Sequence, residues 1–574
     1  MTWLTDALRN GLRFVANLLA RLPGPALDYV VIDLTGSYPE RTPAPRRFFQ
    51  RLLQAPWQRS EESLEALRDR LERIARAPDV KGLVLRVRAL TAGMATVQSL
   101  RGAIGELRRQ GKRVVAYIPS PDLAEYYLAA AADEIWMAEA GFWNVLGLRA
   151  EITFFREAFD RIGILPEFER IGEFKTAADP FMRSELSPDH REVVESILDS
   201  LMSEFVAEVA AARRLDTASV RAAIDGAPLS ADDAHSARLI DGVCYEDELA
   251  ARLEPKGQLA LRPWAHVRWR LPRAYQWHTR GPLVGVVELL GGIIPGESRE
   301  MPLPLPFVGG RLAGSETVAR AFRVAERNPR VRAIVFHVDS RGGSELASNL
   351  IWREVERIKS RKPVVAFMGD VAGSGGYYVA CGASRIVAQP ATITGSIGVV
   401  TGKLTVRELY ARLGLNREVV ARGEAATVES IFRPFTPEQA ERIRRHAEAI
   451  YQRFVRKVAA GRAKNEADVD ATARGRVWTG RQALERGLID ELGDFSLAVR
   501  RARELAGVPA AQEVSVVTIR APQHAPMPSI ARALLRLGAP VASGVLAETV
   551  DAWRDIREAL GEPALLIMPD LGVF

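Results

Sequence analysis

The stretch Gly369-Asp370-Val371-Ala372-Gly373-Ser374-Gly375-Gly376-Tyr377-Tyr378 lies between an apolar strand pattern at 364–368 and a helix pattern. A serine flanked by glycines in a strand-to-helix turn keeps its hydroxyl clear of neighbouring side chains. The paired tyrosines have counterparts 251 positions earlier, Tyr126-Tyr127. The same offset joins Val87 to Val338, Ala129 to Ala380, Ile135 to Ile386, Gly147 to Gly398, Gly172 to Gly423 and Phe181 to Phe432. Solenoid repeats run to about 20–50 residues, so a single offset of this length describes a duplicated domain.

The two copies carry their elements in one order. In the second, strand patterns at 283–290, 333–338 and 364–368 alternate with helix patterns at 316–326 and 346–359. The first has strands at 29–34, 82–87 and 114–118 and helices at 63–73 and 100–109. This alternation predicts βαβ units and an α/β fold. The boundaries read as an N-terminal helix over 1–26, a repeat domain over 27–260, an Arg/Trp-rich connector over 261–280, a second repeat domain over 281–505 and a tail over 506–574. A Pro-rich loop at 301–310 reads as a lip over a site, and a helical pattern begins at Ser529 in the tail.

The composition narrows the classes of function. At 574 residues, 47% hydrophobic and 26% charged, the chain is of ordinary globular type. Its +7 charge comes from 78 basic against 71 acidic residues, with no basic cluster interleaved with aromatics, so no nucleic-acid partner is expected. No window of about 18 apolar residues supports a transmembrane span. Cys244 and Cys381 allow at most one bridge. Near the N-terminus, Leu4, Leu8, Leu12, Val15, Leu18, Leu19 and Leu22 form one helical face; Thr5, Asp6, Arg9, Asn10, Arg13, Asn17 and Arg21 form the other. Such a helix either lies on an anionic lipid surface, with Trp3 and Phe14 contributing, or docks on the body of the protein.

The copies diverge where chemistry would reside. Ser374 faces Leu123 of the first copy and reads either as a nucleophile or as a helix cap. The turn Asp339-Ser340-Arg341-Gly342-Gly343-Ser344 also has no glycine pair in the first copy. Consecutive glycines let an amide point at an oxyanion or a phosphate, but no Walker lysine follows. Conversely Lys175 of the first copy faces Ala426 of the second. The chain has 9 lysines among its 78 basic residues, so each lysine in an unusual setting is informative. Apolar burial that lowers a lysine from about 10.4 to roughly 7–8 makes it a base, at a cost on the order of 4 kcal/mol. The alternative is an ion pair with Glu173 or Asp179. A serine kept in one copy and a lysine in the other favour one composite site. Of the histidines, only His337 lies near these turns, in a strand where packing is its expected role, and Ala372 breaks the G-x-S-x-G pattern.

These residues resemble the signal peptide peptidase A family, also called protease IV, in its long form with two tandem domains. The resemblance spans roughly residues 27–500. It rests on the serine turn, Thr394-Gly395-Ser396-Ile397-Gly398, Val477-Trp478-Thr479-Gly480, Gly487-Leu488-Ile489-Asp490 and the Lys175 segment. It implies a tandem crotonase/Clp-protease-like α/β fold and a homo-oligomer of four protomers forming a bowl. It also implies Ser374 as nucleophile, Lys175 as base, Ser396 (Val145 in the first copy) orienting the ammonium, and Gly343 as an oxyanion donor. No cofactor or metal is implied. The implied partners are apolar peptides such as cleaved signal peptides, at a bacterial inner membrane, on its periplasmic or cytoplasmic face. Arg341 stands where the family usually has proline. With the missing transmembrane anchor, that departure motivates the alternative of an inactive membrane scaffold. An acyl-CoA enzyme shares the fold class, but the sequence carries no adenine or phosphate signature.

Overall fold

The computed structural model describes residues 2–19, 25–43, 62–255, 259–275, 281–305, 309–521 and 565–568. In the first repeat, after the N-terminal helix α1 (Thr2–Leu19), come β1 (Tyr29–Gly36), α2 (Leu64–Ala75), β2 (Gly82–Leu90), α3 (Met94–Arg109), β3 (Arg113–Tyr117), α4 (Leu123–Ala129), β4 (Glu134–Met137), β5 (Leu165–Ile171), α5 (Pro188–Arg213), β6 (Gly242–Val243) and β7 (Leu261–Pro263). The apolar runs that predict strands form one parallel sheet, ordered β6-β4-β3-β2-β1-β7. Its interior strands are buried on both faces, as their near-continuous hydrophobicity requires.

The second repeat contains β8 (Leu283–Leu290), β9 (Gly292–Ile294), β10 (Arg299–Leu305), β11 (Gly309–Gly314), α6 (Ser315–Arg327), β12 (Val331–Ser340), β13 (Gly342–Ser344), α7 (Glu345–Lys359), β14 (Val364–Gly373), α8 (Gly375–Ala380), β15 (Arg385–Ala388), β16 (Ile393–Gly395), β17 (Val399–Thr405), α9 (Pro437–Arg462), β18 (Val477–Thr479), β19 (Ser515–Thr518) and β20 (Leu565–Ile567). Its main sheet runs β18-β16-β14-β12-β8-β19, with β15 beside β14. The duplication is visible in the backbone: β3 and β14 begin at Arg113 and Val364, and β4 and β15 at Glu134 and Arg385, each pair 251 positions apart. Tyr126 and Tyr377 are fully buried, and each donates its hydroxyl at 2.8 Å to a backbone carbonyl of its own repeat, Leu239 O and Leu488 O.

Several segments differ from their sequence reading. The expected connector begins instead as β7 on the edge of the first sheet, and Val267 and Leu271 enter that repeat's core. The Pro-rich 301–310 region contributes to an antiparallel hairpin, β10 with β11. Residues 506–574, read as a tail, supply two strands: β19 extends the main sheet beside β8, and β20 enters a third sheet. The helix expected from Ser529 falls outside the described residues. Both cysteines are free and buried.

The third sheet, ordered β10-β11-β9-β13-β20-β17-β5, joins the repeats. Strand β5 of the first pairs antiparallel with β17 of the second along its whole length, from Leu165 opposite Thr405 to Ile171 opposite Val399. Asp370 reinforces the junction by accepting from the amide and hydroxyl of Thr96, at 2.9 and 2.7 Å, in the first turn of α3.

Helix α1 docks by its polar face. Asn17 exchanges two hydrogen bonds with the backbone of Arg273, at 2.9 and 2.8 Å, and Arg13 donates to Ala274 O at 3.0 Å. Asp6 and Asn10 are buried, whereas Leu8, Leu12, Phe14, Val15 and Leu18 are all more than half exposed. Among the described residues no helix is long and apolar enough to cross a membrane.

Candidate active site

The β5–β17 ladder carries the chain to Gly172, where it turns with φ of +99°. A side chain there would meet the backbone of Arg474, its Cβ 2.3 Å from the carbonyl carbon. The turn is then clamped to the second repeat: Phe174 N donates to Arg474 O at 3.0 Å, and a Cβ on Gly475 would fall 2.4 Å from Lys175 N. Behind it, buried Asp179 accepts from Arg170 and Ser187 at 3.0 and 2.9 Å, fixing the segment that follows. The ion-pair reading of Lys175 therefore does not describe the molecule: Glu173 pairs with Arg474, Asp179 with Arg170, and Lys175 is completely buried.

Ser374 begins α8 in a conformation that L-residues seldom adopt, φ +54° and ψ −113°. Strain of this kind costs about 1–3 kcal/mol. It is held by Ser374 N donating to Gly395 O and Tyr378 N donating to Ser374 O, both at 2.8 Å. The hydroxyl makes no capping bond to α8. Ser396 is likewise left-handed, at φ +53°, with its amide on Arg476 O at 2.7 Å.

Lys175 Nζ lies 2.7 Å from Ser374 Oγ, 2.9 Å from Ser396 O and 3.0 Å from Ser396 Oγ, and all three residues are fully buried. An ammonium would donate to all three oxygens. A neutral amine donates to the two Ser396 oxygens and receives the Ser374 proton on its lone pair. Burial alone pushes the Lys175 pKa well below its ordinary 10.5, with no carboxylate to oppose it. The neutral arrangement is therefore the one this environment favours.

Gly343 sits at φ +155° between β9 and β20. A Cβ there would fall 2.1 Å from Ile293 O, so only glycine fits. A Cβ on Gly375 would lie 3.2 Å from Gly343 N. The amides of Gly343 and of the residue after Ser374 thus neighbour each other, an arrangement that can receive an oxyanion. Sequence reasoning assigned roles to Ser374, Lys175, Ser396 and Gly343 and missed Gly375, Gly475 and Arg476. Gly375 carried a signal, its place directly after the serine; Gly475 and Arg476 act through backbone alone and carried none. His337 packs between Phe367 and Phe495, with ring centroids 5.5 and 6.5 Å away, and faces Glu288.

A depressed lysine pKa has a thermodynamic signature. Between the lowered folded value and 10.5, the unfolded chain binds a proton that the folded chain has released, so this group makes stability rise with pH across that window. Denaturant unfolding of wild type and Lys175→Met, compared from about pH 7 to about pH 10, is expected to show the wild type gaining stability relative to the variant as pH rises. A difference that stays flat with pH would mean that Lys175 is an ordinary ammonium.

Comparison with known proteins gives this geometry a context. The family model for "Peptidase family S49" matches twice, at residues 106–260 and 356–509. The "Serine protease SPPA, chloroplastic" of Arabidopsis thaliana is 33% identical over 80% of this chain and 68% of its own length. "Protease 4" of Haemophilus influenzae is 32% identical over 75% of this chain and 70% of its own, and "Protease 4" of Salmonella typhi is 30% identical over 84% and 80%. Among solved structures, ClpP1 from Listeria monocytogenes aligns over 37% of this chain and 94% of its own at 14% identity or less, with a TM-score of 0.22, a likeness that says nothing about chemistry. Two matches of one family model, on an α/β backbone that repeats at the offset seen in the sequence, bear out the tandem duplication. The chain belongs to peptidase family S49.

Proposed function

We propose that this peptidase hydrolyses apolar peptides with a Ser-Lys dyad assembled across its two repeats. The observation that carries the reading is the buried Lys175 amine 2.7 Å from the Ser374 hydroxyl, with burial as the cause of its lowered basicity. Neutral Lys175 takes the Ser374 proton as Oγ bonds to the substrate carbonyl carbon, and the Gly343 amide, with that of Gly375, stabilises the oxyanion. Collapse breaks the C–N bond, and Lys175 returns its proton to the leaving amine. Water then attacks the acyl-enzyme, giving a proton to Lys175, and Ser374 recovers it as the acid departs. Ser396 keeps the lysine aimed throughout by accepting from Nζ on two oxygens. Cleaved signal peptides and similar membrane-derived fragments are the substrates this reading favours, bound extended.

The apolar face of α1 adds a location. With its polar face committed to residues 273 and 274 and its leucines exposed, α1 is turned to rest on a bilayer, and the peptidase works as a peripheral protein beside the membrane that supplies its substrates.

Hydrolysis of an apolar fluorogenic peptide is expected from wild type, with Ser374→Ala and Lys175→Ala each at least about 1,000-fold slower in kcat. For wild type, kcat/KM is expected to rise with pH through an ionisation well below 10.5, because the deprotonated lysine is the active form. Full activity in Lys175→Ala would assign the base to another group. In vesicle flotation, wild type is expected to rise with anionic phosphatidylglycerol vesicles and Leu12→Glu/Val15→Glu to remain below. Equal flotation of the two would remove α1 from the account.

A further inference from the structure

Strand β20 is the described part of the chain beyond residue 521, and it does not pack at the periphery. It fills a slot between β13, which carries Gly343, and β17, the strand that holds β5 and hence Lys175. Gly342 stands opposite Ile567, Gly343 opposite Leu566 and Ser344 opposite Leu565, while Val400 faces Leu565 from the other side; both pairings are antiparallel. Met568 N then donates to Arg341 O at 2.7 Å. The Met568 side chain is buried in an apolar cluster with Val193, Ile197 and Val477. It also closes on the turn before the serine: a Cβ on Gly373 would lie 2.4 Å from Met568 Sδ. Ser374 beneath it has no exposed surface.

A slot with a free strand edge on each side is a receptor for an extended peptide, because main-chain pairing on both edges holds any sequence and the flanking cluster selects apolar side chains. The uncharged sequence Leu565-Leu566-Ile567-Met568 is of that chemistry. Resting on the Ser-Lys reading above, we propose that residues 565–568 occupy the peptide-binding slot of their own chain as a pseudosubstrate, and that a peptide substrate must displace them. The segment is tethered, so it competes at high effective concentration. It keeps the dyad covered until an apolar peptide outcompetes it. Arg341, which departs from the usual family residue, supplies the carbonyl that receives Met568 N.

The test weakens the segment without touching the slot. Met568→Asp places a carboxylate in the apolar cluster, and Met568→Pro deletes the amide that bonds Arg341. Either change is expected to lower KM for an apolar fluorogenic peptide about tenfold, the equivalent of one or two lost hydrogen bonds in the ladder, while kcat changes less than twofold. A synthetic peptide spanning 561–568, added in trans, is expected to restore inhibition that is competitive with substrate. Hydrogen exchange of the 342–344 amides reads the pairing without catalysis, and both variants are expected to accelerate it. Unchanged KM overturns the proposal, whether exchange at 342–344 stays slow or becomes fast, since in the latter case β20 is a structural strand that substrate never meets. If wild type cleaves no peptide, the Ser-Lys reading fails on its own. The occupancy of the slot is then decided by anisotropy of the labelled 561–568 peptide on Ser374→Ala: tighter binding when Met568→Asp is added supports it, and equal binding overturns it.

Discussion

Everything chemical in this molecule depends on one antiparallel ladder, β5 of the first repeat on β17 of the second. Lys175 and Ser374 are 199 positions apart, and neither repeat holds both. The ladder fixes the position of Ile171, and within four residues the chain must deliver an amine to a hydroxyl with an error well below 1 Å, since a proton moves between them. Glycines at 172, 398 and 475 allow that approach. A Cβ on Gly398 would fall 2.8 Å from Gly475 Cα and 3.0 Å from Ile171 O, so the backbones of both repeats touch where side chains would hold them apart.

The ladder also determines the electrostatics. It carries Lys175 into a pocket in which Ser374 and Ser396 are its hydrogen-bonding partners and the nearest acids are engaged by arginines. Stabilising an ammonium there would need a carboxylate that the pocket does not offer, and the amine sheds its proton instead. Duplication explains how such a site can arise. A single domain of this fold would need the serine turn and the lysine turn on one scaffold, whereas two copies let each specialise. Leu123 and Ala426 are apolar replacements at the positions where the respective copies gave up their part.

Much of this was legible in the sequence because a duplicated chain carries its own comparison. The common offset fixed the fold class, and the substitutions that break symmetry pointed to Ser374, Lys175, Gly343 and Ser396, all of which meet at or beside one pocket. What stayed hidden was nonlocal backbone geometry. Strand β7 was read as connector because three residues carry too little periodicity to announce a strand, and β20 was invisible because a short apolar run far along the chain does not say which edge it will pair with. The orientation of α1 was undecided because amphipathicity gives two faces without saying which of them docks; hydrogen bonds from Asn17 and Arg13 to a segment more than 250 residues away decide it.

The account turns on a lysine that is neutral when the protein is folded. With 9 lysines in the chain, selective isotope labelling resolves their Cε and Nζ resonances, and the signal lost in Lys175→Met identifies the one of interest. Titrated by NMR in the folded enzyme, Lys175 is predicted to lose its proton well below 10.5, apart from the exposed lysines. A midpoint at or above 10.5 would leave Ser374 without its base and contradict the mechanism at its root.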